Sequence, residues 1–123
     1  MSQPDVIDPS ALADIRDVGG DSLLAELIDI LAKSAPRQLE SIRTAVRCGD
    51  TAATARAAHA LKSAVGNFGA HTLLEETAQL EAAARRGDCA TLEWRLRAVE
   101  GHFELVSSRL QEILAAIRTD RDR

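Results

Sequence analysis

The sequence predicts an all-α protein: an antiparallel, up-down-up-down four-helix bundle with a short N-terminal capping helix. Three observations carry this. Hydrophobic residues make up 46% of the 123, yet only Phe68, Trp94 and Phe103 are aromatic and there is no tyrosine. The apolar content is mostly Ala, Leu, Ile and Val; Ala and Leu are strong helix formers, whereas strand-rich domains draw on aromatic and β-branched residues. Apolar positions recur in steps of three and four, the period of one helical face. Glycine stops leave only short links between these runs, and short links set neighbouring helices antiparallel. The length suits one domain, enough to bury a modest core without disulfides or metals.

Met1 to Pro9 is polar and acidic and reads as a flexible lead-in. A short helix is expected over Ser10 to Val18, with Leu12 and Ile15 inward. Gly19-Gly20 ends it, and Asp21 can cap the next helix. From there the apolar spacing is Leu24, Ile28, Leu31, Ala35, Leu39, Ile42, Val46. The phase runs through Pro36 unbroken, so one long helix kinked near Pro36 is expected; a break with Ser34 capping a new helix is the alternative. Gly49-Asp50 is a stop, after which Asp50 or Thr51 can cap.

The third helix is expected over Ala52 to Phe68, with Ala58, Leu61, Val65 and Phe68 inward and Gly69 as its end. The fourth runs from His71 to Arg86. Leu73, Thr77, Leu80 and Ala84 face inward, Arg85-Arg86 complement the C-terminal dipole, and Gly87 stops it. Asp88 opens the longest helix, whose stripe is Leu92, Leu96, Val99, Phe103, Val106, Leu110, Ile113, Ile117. Gly101 weakens it locally. Thr119 to Arg123 reads as a charged, frayed tail, which leaves 10–118 as the folded domain.

Charge and composition narrow the function. A net charge of −4 and a pI near 5.3 argue against uniform nucleic-acid binding, which needs a basic face. Cys48 and Cys89 form neither a disulfide framework nor a paired-cysteine metal site. No apolar run approaches the length of a bilayer span, and the N-terminus is not a secretory signal. A cytoplasmic protein with reduced thiols is expected.

The chemistry concentrates in the third helix, at His59-Ala60-Leu61-Lys62-Ser63 and Gly66-Asn67-Phe68-Gly69-Ala70. At about 100° per residue, His59 points roughly 130° away from the core stripe through Leu61 and Val65. It therefore stands on the outer face. Lys62, Ser63 and Gly66 follow at three, four and seven residues, along the same face. Gly66 inside a helix costs about 1 kcal/mol relative to Ala, and close approach by another protein gives a reason for it. A neutral imidazole is a good nucleophile near neutral pH, and the Lys62 ammonium can stabilise a phosphoryl group placed on it. The other ring nitrogen then needs an acceptor, for which a carboxylate from an adjacent helix serves.

These residues resemble the signature of histidine-containing phosphotransfer (HPt) domains. The likeness covers nearly the whole chain: Ala35-Pro36 and Gly49-Asp50 upstream, Leu80-Glu81 and Gly87-Asp88 downstream. The resemblance implies a four-helix bundle that exchanges phosphoryl groups with the aspartate of response-regulator receiver domains. By it, His59 is the phosphoacceptor, Lys62 the phosphate-stabilising cation, and Glu81 the group that hydrogen-bonds the imidazole. Arg56, Ser63, Gly66 and Asn67 are the partner-binding face. Ser63 stands where many members have Gly; a Ser63 hydroxyl donating to the phosphoryl oxygens is one expectation. No cofactor is expected on this chain, which lacks clustered carboxylates for Mg²⁺; the receiver would bring the metal. It also lacks a nucleotide-binding Gly-rich loop, so a phosphocarrier without kinase activity of its own is expected. Receiver domains and a hybrid sensor histidine kinase are the expected partners, and the chain is expected to be a free-standing monomer.

Plainer readings stand beside these. Glu81 can equally pair with Arg85 one turn on. His71 and His102 read as surface or boundary residues, Trp94 as packing on the first helix, and Arg95, Arg97 and Glu100 as a solvated face. Rival functions are a receiver-sequestering protein without transfer, a helical adaptor that dimerises through its last helix, and a metal-dependent enzyme, for which no inward Glu-x-x-His pairs exist.

Overall fold

The computed structural model describes residues 6–121. Four helices follow one another: α1 (Pro9–Arg47), α2 (Thr51–Val65), α3 (His71–Arg85) and α4 (Cys89–Arg121), with one 3₁₀ turn, Gly66–Phe68, between α2 and α3. Among the described residues there is no strand.

Local chemistry sets the boundaries. The Asp8 carboxylate accepts from the Ser10 backbone N–H at 2.9 Å, and Pro9 takes the first helical position, where its fixed φ is pre-organised and its missing N–H costs nothing. The hydrogen-bonded helix then continues to Arg47, but Gly20 sits at φ 69°, ψ −166°, a conformation that glycine adopts without strain. The predicted boundary at Gly19-Gly20 is thus a break between two helical segments. Asp21 does not act there as a backbone cap; its carboxylate accepts from Arg16 Nε at 2.8 Å. The departure from helical backbone lies at Gly20 and not at Pro36, and the alternative break with a Ser34 cap does not form.

Asp50, accepting from Ala53 N at 3.0 Å, caps α2. This helix ends at Val65, three residues earlier than predicted, because Gly66–Phe68 tighten into the 3₁₀ turn that Gly69 closes at φ 68°. Gly69 O accepts from Asp8 N at 3.0 Å, and a Cβ on Gly69 would lie 2.6 Å from Asp8 Cβ. The start of α1 is therefore seated directly on the α2–α3 turn.

Of the expected lead-in and tail, residues 6–9 and 119–121 are described. Ile7 is buried in the core. At the other end α4 stays helical to Arg121, since Arg118 pairs with Asp29 at 3.2 Å and Arg121 donates to Ser22 Oγ at 2.6 Å, tying its last turns to α1. The rest of the expected lead-in and tail, 1–5 and 122–123, lies outside the described residues.

Around the bundle α1 packs on α2 and α4, and α3 packs on α2 and α4. The pairs Asp29–Arg118 and Arg43–Glu100 occur in opposite order along α1 and α4, so these two run antiparallel. The predicted stripes fill one core, with Ile15, Val46 and Phe103 at its half-buried edge. On α2 the inward residues Ala55 and Ala58 are small, and Ala83 and Ala84 on α3 match them. Small side chains let two helices approach closely, which brings polar side chains within reach across the α2–α3 seam.

Two expectations away from the seam are corrected. Trp94 does not pack on the helical segment before Gly20, whose start is seated on Gly69; it is half exposed, with the Arg95 guanidinium 4.5 Å over its ring. Glu100 is not simply solvated, since Arg43 Nη2 lies 2.6 Å from it. Leu114 joins the core, whereas Leu105 is exposed.

Candidate functional site

His59 lies on the outer side of α2, with its side chain 57% exposed. Its Nδ1 is 3.1 Å from Glu81 Oε2, across the seam on α3. The Glu81 side chain is only 8% exposed. Two cations hold that carboxylate. Lys62 Nζ lies 2.8 Å from Oε1; Arg85 reaches Oε2 with Nη2 at 2.7 Å and Nε at 3.1 Å. Burial works to raise the Glu81 pKa, but the hydrogen bonds from Lys62 and Arg85, the Lys62 charge and the His59 contact overcome it and hold the carboxyl at about 2. Glu81 is therefore a carboxylate at neutral pH and only accepts hydrogen bonds.

That fixes the imidazole. A ring nitrogen facing a carboxylate carries the proton, so Nδ1–H donates to Glu81 and the lone pair rests on Nε2. Two cations against one carboxylate leave the cluster with an excess positive charge. The arrangement is an outward nucleophilic nitrogen, a fixed tautomer and a local field that favours an incoming anion.

Lys62 and Glu81, singled out in the sequence, thus join His59 in one cluster. Arg85 was weighed there as a helix-end cation and as a rival partner for Glu81. The two readings are not exclusive, because Oε2 serves His59 and Arg85 together. The signal was present in the i, i+4 spacing of Glu81 and Arg85. Arg56, Ser63, Gly66 and Asn67 are all exposed. Arg56 and Arg85 line a shared groove with Thr51, Ala52, Ala55 and Ala84. The Ser63 hydroxyl is not turned to the imidazole tip; it donates to the His59 carbonyl at 3.1 Å. Gly66 opens the 3₁₀ turn instead of continuing the α-helix, and no atom lies within 4 Å of where its Cβ would stand.

Of the other histidines, His71 is a surface residue and His102 a boundary one. His71 Nε2 lies 3.1 Å from Asp8, and His102 Nδ1 lies 2.6 Å from Glu76. Cys48 and Cys89 are exposed free thiols. Among the described residues no group of His, Cys, Asp and Glu is arranged to hold a metal ion, and no helix is long and apolar enough to cross a membrane.

Comparison with known proteins places the chain in a class. The Hpt domain family model matches residues 26–120, and the chain belongs to that family. Among solved structures it is similar to histidine-containing phosphotransfer protein B (HptB) from Pseudomonas aeruginosa PAO1. The two share 25% sequence identity with a TM-score of 0.86, over 93% of this chain and 98% of that one. No curated protein matches the sequence. The family and this likeness together support a histidine phosphotransfer role in phosphorelays.

Proposed function

We propose that the chain is a phosphorelay intermediate that carries a phosphoryl group on His59 Nε2 and exchanges it with the aspartate of response-regulator receiver domains. The observation that carries this is the outward imidazole whose Nδ1 is held by a buried, charged Glu81. In the forward step the Nε2 lone pair attacks the phosphorus of an aspartyl phosphate. The N–P bond forms, the P–O bond breaks, and the aspartate leaves with the electron pair as a carboxylate. No proton moves. The product ring keeps its Nδ1–H and is cationic, so Glu81 stabilises it as well as orienting it. Lys62 supplies positive charge to the phosphoryl oxygens, and positioning and electrostatics account for most of the rate in such transfers.

Arg56, Gly66 and Asn67 are read as part of the receiver-docking face, with Ser63 as a small, backbone-bonded member of it. Mg²⁺ is assigned to the receiver, because the one carboxylate here is already held by two cations. The chain is read as a phosphocarrier without kinase activity, a cytoplasmic monomer serving receivers and a hybrid sensor kinase. Its bundle is read as up-down-up-down, with the segment before Gly20 covering one end.

The test is direct transfer. A panel of receivers charged with labelled phosphate is mixed with the protein. Rapid, acid-labile labelling of this chain is expected, and its loss in His59→Gln. Receivers that bind without transferring would favour sequestration; absence of any binding would favour an adaptor bundle.

A further inference from the structure

Lys62 cannot be treated as a spare cation, because its ammonium is 2.8 Å from Glu81 Oε1. A phosphoryl group on His59 Nε2 would compete with Glu81 for that ammonium. A buried carboxylate stripped of its cation is costly, so on its own Glu81 would keep Lys62. Arg85 changes this balance. It makes a two-pronged contact with Oε2, from the solvent-exposed end of α3, and leaves Oε1 to Lys62.

We propose that Arg85 is a positioning residue that releases Lys62 for the phosphoryl group by staying on Glu81 as its second counter-ion. The idea rests on His59 being the phosphoacceptor. Arg85 does not touch the transferred group in this scheme; it acts through Glu81 and Lys62. The consequence is energetic coupling. The contribution of Lys62 to transfer should depend on whether Arg85 is present, although both are merely neighbours of the same carboxylate.

The experiment is a double-mutant cycle on the full chain, with phosphoramidate as a small phosphoryl donor. Its P–N bond breaks, ammonia leaves, and the N–P bond to His59 Nε2 forms. Rates of phosphohistidine formation are followed by ³¹P NMR for wild type, Lys62→Ala, Arg85→Ala and the double variant, with Tm recorded for each. A charge-assisted contact worth one factor of ten predicts that Lys62→Ala slows wild type about tenfold. In the Arg85→Ala background the same change should cost under about twofold. Arg85→Lys, which keeps a cation, should restore part of the Lys62 dependence. A purely structural Arg85 would lower Tm and leave the two effects additive, and additivity overturns the proposal. If wild type gains no label that His59→Gln removes, the phosphoacceptor reading itself fails, and the proposal with it.

Discussion

His59 on α2 and His71 at the start of α3 each lie 3.1 Å from a carboxylate oxygen. In both pairs the carboxyl is held at about 2. The causes differ. Asp8, its side chain only partly covered, is pulled down by hydrogen bonds from His71 and Ser10, which outweigh a small contribution from burial. At Glu81 burial pushes the other way and is overcome by Lys62 and Arg85. Asp8 is occupied with capping α1; Glu81 caps nothing and sits beneath an exposed ring. A histidine–carboxylate contact, or a lowered carboxyl pKa, therefore does not define a reactive centre. On the function proposed above, what sets His59 apart is the burial of its acceptor, the surplus cations and the outward second nitrogen.

The largest effect that can break this comparison is on transfer. His59→Gln should abolish phosphoryl uptake, while His71→Gln should leave its rate within about twofold, as for most surface substitutions. Comparable losses in both, measured with a labelled receiver, would erase the distinction.

Acid unfolding sharpens it next. The Glu81 pKa is lowered from 4.5 to about 2. Its stabilisation is thus complete above pH 4.5 and is lost as pH falls through 2. A shift of that size corresponds to stabilisation on the order of 3 kcal/mol. Urea titrations at pH 7 and pH 2 should show that loss in the wild type and a flatter dependence in Glu81→Gln. Asp8→Asn should flatten the profile much less, because solvent screens an exposed pair.

The seat of the His71–Asp8 pair comes third. Gly69→Ala forces a Cβ onto a positive φ and against Asp8, and should cost about 2 kcal/mol in urea unfolding. An unchanged midpoint would mean that α1 is not clamped on that turn. Smallest is the cap: Asp8→Ala should lower Tm by about 4 °C without altering transfer.

Much of this was legible in the chain. The helix-period stripes identified most of the core, because burial follows the 3.6-residue repeat wherever the helix is regular. The face of His59 and its company with Lys62 followed from the same local arithmetic. The lead-in was read as flexible because polarity was taken for exposure. Ile7 is carried into the core by the seat of α1 on Gly69, and Arg118 and Arg121 hold the last turns through partners that lie far away in sequence. Trp94 was misplaced because periodicity gives a face but not a neighbour.

The helical class, the core stripes and the outward histidine could be read from the chain, since each follows from the period of one helix. Packing between helices settled that Glu81 is buried, and that His59 and Lys62 reach across from α2 to the carboxylate that Arg85 also holds. That outcome depends on how close α2 and α3 approach and how each is rotated about its axis. Those quantities are set by packing Ala55 and Ala58 against the neighbouring helices, not by the period of either helix alone.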